Sequence, residues 1–225
     1  MGDHNMSSRG RLRRKRKFWI TVYAPELLGG TNRPLAKVLC SEPEDLINRI
    51  VLVKGIEFTK DFEDRGMNLY FRIVKVTPSG AFTTLIGHDY VREVISSKVR
   101  RRMSRVEIIT HVYTKDGHRV KVSILAMTAH RCKEIHKKLI RKIFEEFLIT
   151  KAKEYSYEEF IYHLAIAKTW HAEMIRLAHK IYPLREFLIY KSRAETVIVP
   201  SDEIEKAVEQ KEEIGRRAET FTARR

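Results

Sequence analysis

The chain is poor in cysteine, with Cys40 and Cys132 alone and far apart. That excludes a disulfide framework and a paired-thiolate metal site, and it fits a reduced, intracellular protein. No apolar run approaches the ~20 residues that a membrane-spanning helix needs. The first hydrophobic stretch, in RGRLRRKRKFWITVY, is soon broken by Thr21, Pro25 and Glu26. It also alternates, Phe18, Ile20 and Val22 on one side against Trp19, Thr21 and Tyr23 on the other, which is the pattern of a strand and not of a signal-peptide core. Residues 1–17 hold too few apolar groups for an amphipathic presequence helix.

Catalytic and metal signatures are missing too. There is no HExxH, no serine in a nucleophile elbow, and Gly29-Gly30-Thr31 is not followed by the Gly-Lys-Ser/Thr of a phosphate-binding loop. His163, His171 and His179 recur every eight residues, which turns each about 80° from the last along a helix, so they do not converge on one ion. Asp61, Glu63 and Asp64, in KDFEDRGMN, lack the spacing of a calcium loop and read as a solvated hairpin tip. The sequence therefore implies no catalytic residue, no metal, no cofactor and no small-molecule substrate.

Positive charge is what the chain has in excess. Its net charge is +15 over 225 residues, more than solubility asks for, and it implies a polyanionic partner. The excess is segregated. Arg9, Arg11, Arg13, Arg14, Lys15, Arg16 and Lys17 form an arm without one acid; KVRRRMSR supplies Lys98, Arg100, Arg101, Arg102 and Arg105; RCKEIHKKLIRK supplies Lys133, Lys137, Lys138, Arg141 and Lys142. The rest of the chain is close to neutral, whereas a merely solubilising surface would mix both signs throughout. Arg9 to Lys17 run into a strand with no linker, which keeps the arm beside the folded surface so that arm and patches can grip one polyanion. Trp19, Tyr23, Tyr70 and Phe71 interleave with basic residues, as base-stacking groups do, although alternating aromatics are more often core.

Short alternations at 18–23, 35–40, 50–59, 68–76 and 81–86 predict strands. A helix follows, with Asp89 near its start and Val91, Val94, Ile95 and Val99 on one face. Runs 106–114 and 118–125 flank Lys115-Asp116-Gly117 and predict a hairpin. Ile135, Leu139, Ile143 and Phe147 then define an apolar helix face, with Lys133, Lys137 and Arg141 on another. Two further helices, a strand over 184–199 and a charged helix over 202–217 complete the chain. The class is α+β, with a β-barrel-like curved sheet packed with helices. Four regions are expected: a basic disordered arm at 1–17, a β-rich region with one helix at 18–127, a helical region with a returning strand at 128–200, and a charged helix or tail at 201–225.

RKFW at Arg16 to Trp19 through Ala24-Pro25, GHDY at Gly87 to Tyr90, HVYTKDGHRVKV at His111 to Val122 and IYPLREF at Ile181 to Phe187 together resemble the archaeal and eukaryotic small-subunit ribosomal proteins of the S-three-A-e family, also called eukaryotic-type S-one. The resemblance runs from about residue 16 to about 192. It implies a non-enzymatic component of the small subunit, on the platform near the 3′ end of the rRNA and the mRNA exit. Implied partners are small-subunit rRNA and neighbouring ribosomal proteins, with mRNA at the exit as a further candidate and no membrane; the implied location is the cytoplasmic ribosome. From Ser192 onward, SRAETVIVPSDEIEKAVEQKEE stands where a basic tail would be expected. The alternative reading from the residues is a free-standing regulator that binds single-stranded RNA.

Overall fold

The computed structural model describes residues 17–30, 33–77 and 79–198. The elements run β1 (Phe18–Tyr23), β2 (Pro34–Cys40), β3 (Ile50–Lys54), α1 (Ile56–Thr59), β4 (Met67–Thr77), β5 (Gly80–Tyr90), α2 (Arg92–Lys98), β6 (Arg105–Tyr113), β7 (His118–Thr128), α3 (Glu134–Glu154), α4 (Tyr157–Ala165), α5 (His171–His179) and β8 (Leu184–Ile198). The basic arm up to Arg16 and the helix expected over 202–217 lie outside the described residues. Those residues form two compact units, 17–49 with 73–83 and 50–72 with 84–198.

In the first unit the alternation of β1 buries Ile20 and Val22. β1 pairs antiparallel with β2, from Phe18 with Cys40 to Val22 with Ala36. On its other side Val22 and Tyr23 pair parallel with Ala81 and Phe82 at the start of β5. The Thr83 hydroxyl donates to the Tyr23 carbonyl at 2.8 Å.

In the second unit β3 pairs with β4 and turns Val51, Val53, Leu69 and Phe71 inward. The β6–β7 hairpin forms where Asp-Gly predicts it. Gly117 takes φ 75°, a left-handed conformation that favours glycine, and its N–H donates to Thr114. Asp116 does a second job, accepting from the backbone N–H of Tyr157 at 3.0 Å and so tying the turn to the first residue of α4. Ser156 and Glu159 close a capping box there. β8, the last strand among the described residues, lies between β7 and β5 and is antiparallel to both.

The α+β class stands, but the barrel-like sheet does not form. Strand pairing follows β2-β1-β5-β8-β7-β6, with β3 and β4 on a branch, and leaves an open mixed sheet among the described residues. The reason is β8: it inserts between β5 and β7 instead of joining first and last strands. Two local expectations are also corrected. The strand expected over 50–59 ends at Lys54 and gives way to α1. β5 runs on to Tyr90, so Asp89 pairs with Lys191 in a ladder, and the helix starts at Arg92.

The long helix α3 buries Ile140, Phe144, Leu148 and Ala152, and the Phe144 ring meets Phe187 of β8 edge-on at 5.4 Å. Ile135 is 67% and Leu139 45% exposed. The apolar face thus lies one residue beyond the expected stripe.

Candidate nucleic-acid interface

Two of the three basic segments converge, although Ser104 and Cys132, where they meet, are 28 residues apart in the chain. Ser104, between Arg102 and Arg105, is the joint. Its backbone N–H donates to the Thr128 hydroxyl at 3.0 Å, and its own hydroxyl accepts from the N–H of Cys132, just before α3, at 3.1 Å. Further along α3 the Arg141 guanidinium donates to the Glu107 carbonyl of β6 at 3.3 Å. Strand register completes the cluster, since Arg105 pairs with Met127 and Met127 with Glu186, which Lys98 reaches at 3.0 Å. Lys98 to Arg105 and the first turns of α3 therefore occupy one end of the β6–β7–β8 ladder.

Half of the expected cations on this surface have acidic partners. Lys98 pairs with Glu186, Arg105 with Glu107 at 2.8 Å, and Lys137 and Arg141 both hold Glu134 at 3.0 Å. Lys142 lies 3.8 Å from Glu146. The hydrogen bonds from Lys137 and Arg141 hold the Glu134 carboxyl below its usual range. Glu107 also accepts from Tyr190 at 2.6 Å; burial, then this bond, pushes the Tyr190 phenol up to about 12. Exposed pairs of this kind contribute little to stability because solvent screens them, so a phosphate can replace the acid at little cost. Arg100, Arg101, Arg102, Lys133 and Lys138 are exposed, in the turn before β6 and on the outer face of α3. Arg102 takes φ 65°, a left-handed bend in that turn. Of the arm, Lys17 is described, and it is exposed at the entry to β1.

The polar groups that sequence reading put on the surface or left unassigned are partly internal. Asp64 is 1% exposed, not at a solvated tip. It accepts from the Tyr90 hydroxyl at 2.7 Å and holds Lys168 through both oxygens at 2.8 Å. His88 is buried: Nε2 donates to the Ile189 carbonyl at 2.8 Å, which leaves Nδ1 to accept from the Ser192 hydroxyl at 2.6 Å. Burial lowers His88 to about 4; burial and then the Lys168 charge lower His171 to about 4. Asp64 and His88 are satisfied internal ties between distant strands and helices, whereas His171 Nδ1 is buried without a hydrogen-bond partner. Among the described residues no three His, Cys, Asp or Glu groups are placed to hold a metal ion, and no helix is long and apolar enough to cross a membrane.

The interleaved aromatics separate as well. Phe71 is core, at 0% exposed, and Tyr23 and Tyr70 are half-buried. Trp19 is 67% exposed in the first unit, but the groove it lines also carries Glu42 and Glu44, which oppose a phosphate chain.

With this geometry in view, the comparisons are specific. The model of the Ribosomal S3Ae family matches residues 8–197. The chain belongs to that family. It is 34% identical to the small ribosomal subunit protein eS1 of Desulfurococcus amylolyticus over 84% of this chain and 86% of the relative. Against the eS1 proteins of Aeropyrum pernix and Methanococcus vannielii the figures are 35% over 79% and 83%, and 30% over 88% and 90%. The S3Ae match spans both ends of the expected resemblance and runs into β8 as far as residue 197. The S3Ae family is one of ribosomal proteins, not of enzymes, and its membership, not a missing active site, carries the non-enzymatic assignment.

Proposed function

We propose that the chain is a structural constituent of the small ribosomal subunit in the cytoplasm, binding rRNA mainly through phosphate contacts on the platform near the mRNA exit. The observation that carries this reading is the meeting of Lys98–Arg105 with the start of α3 at Ser104. That meeting makes one cationic surface out of two segments, in a chain of a ribosomal family. Arginine suits the task because its planar fork holds a phosphate through two donors and stacks on a base. Arg9 to Lys17 add phosphate contacts as an arm, and neighbouring ribosomal proteins and mRNA at the exit are further partners.

The test is sedimentation of the full chain in a gently prepared lysate, before and after a high-salt wash. Co-migration with small subunits that survives the wash is expected. Replacing Arg100, Arg101 and Arg102 by glutamate is expected to release the protein at lower salt, because each lost phosphate contact reduces the salt slope by about one. Migration near the top of the gradient would support the free regulator instead.

A further inference from the structure

A cleft of about 170 Å³ opens in the second unit, lined from β3, β4, β5 and β8. Ile50, Tyr70 and Ile86 form its apolar part, and Asp89, Lys191 and Arg193 its polar part. It is separate in sequence from the cationic surface at Ser104.

Three features make it more than a packing gap. The strand register puts Ile50 opposite Arg72 and Leu52 opposite Tyr70, on the ladder face turned away from Val51, Val53, Leu69 and Phe71. Ile50 is 45% and Leu52 50% exposed there, so an apolar patch continues outward from the cleft. Second, two cations share the cleft with one carboxylate. Lys191 stands 3.5 Å from Asp89, and Arg193 is exposed. Third, the floor is rigid. A Cβ on Gly87 would lie 2.1 Å from the Ser192 carbonyl oxygen, so β5 and β8 are at closest approach, and the His88 ring is held by Ser192 and Ile189. Little ordering remains for a ligand to bring about.

An aromatic ring between aliphatic walls, a carboxylate that accepts from a base edge, and two cations for the backbone are together the complement of a nucleotide. An acidic peptide would use the cations but not the ring; a basic one would meet repulsion. We propose that this cleft receives one unpaired nucleotide of rRNA, its base against Tyr70 and its phosphate on Lys191 and Arg193. The inference rests on the rRNA-binding reading and gives it a second element: the Ser104 surface grips backbone, and the cleft fixes register by capturing a base.

Small subunits carrying the protein would be irradiated with ultraviolet light, digested, and searched by mass spectrometry for nucleotide adducts. Adducts are expected on Tyr70 and within 191–193. Tyr70→Ala should lower the adduct yield at 191–193 about tenfold, the loss of one stacked base, while Tyr70→Phe keeps it and adducts within 98–105 stay unchanged. Ile50→Glu, a change at a half-exposed site that spares the core, should act like Tyr70→Ala. Adducts confined to 98–105 and 131–142, a cleft yield indifferent to both variants, or a peptide cross-linked there instead would overturn the cleft while leaving the rRNA reading standing. A protein absent from small subunits would overturn both.

Discussion

Asp64 shows how one side chain can mislead a reader of sequence. In KDFEDRGMN it sits among charges, yet the 3-10 turn Phe62–Gly66 sends Phe62 outward, 85% exposed, and Asp64 inward. Its partner Lys168 lies 104 residues away, so no local pattern could announce the pair. Lys168→Met would strand a buried carboxylate and is expected to cost about 3 kcal/mol in urea unfolding. The histidines supply a pH test. As pH falls below 6.5 the unfolded chain protonates first, while His88 and His171 stay neutral until about 4. The unfolded state then binds more protons, so stability is full above pH 6.5 and declines between 6.5 and 4 by up to ~1.4 kcal/mol per pH unit for each histidine. Equilibrium unfolding at stepped pH should show this slope, and His88→Gln should reduce it by about half, leaving the share of His171.

Among the elements, α3 separates what periodicity tells from what it withholds. A repeat of four announced the helix, but two adjacent stripes, 135-139-143-147 and 140-144-148-152, share that repeat. Only packing against β6, α5 and β8 chooses between them. Phe144→Ala is expected to cost about 3–5 kcal/mol, and Ile135→Ala less than about 0.5 kcal/mol, by urea unfolding. The hairpin was legible because Asp116-Gly117 encodes a local turn, and β1 because its alternation is local. The end of β5 was not: Gly87-His88-Asp89 pair with residues 191–193, and only that distant partner makes them strand. Gly87→Ala should part β5 from β8 and remove the cooperative unfolding transition, or its calorimetric peak, at ambient temperature.

For the whole molecule, charge segregation pointed to a polyanionic partner, the order of strand and helix patterns to the α+β class, and motif order to the family. The joining of two basic segments at Ser104 was hidden, because it depends on a serine hydroxyl and a backbone N–H that carry no charge. The open sheet was hidden for a similar reason: alternation marks strands and says nothing of their neighbours. Here β8 separates β5 from β7, and its pairing with each is antiparallel. A chain ending at residue 183 is accordingly expected to be insoluble on expression, with the full-length chain as control.

The same central place of β8 bears on manufacture. A chain made from its N-terminus presents β5 and β7 long before the strand that joins them emerges, so the second unit cannot close until synthesis has passed residue 198. During that interval two bare sheet margins coexist with an already translated run of arginines. Newborn copies thus need shelter, from chaperone or from nascent partner, at the very stage when their charge is most available to stray nucleic acid.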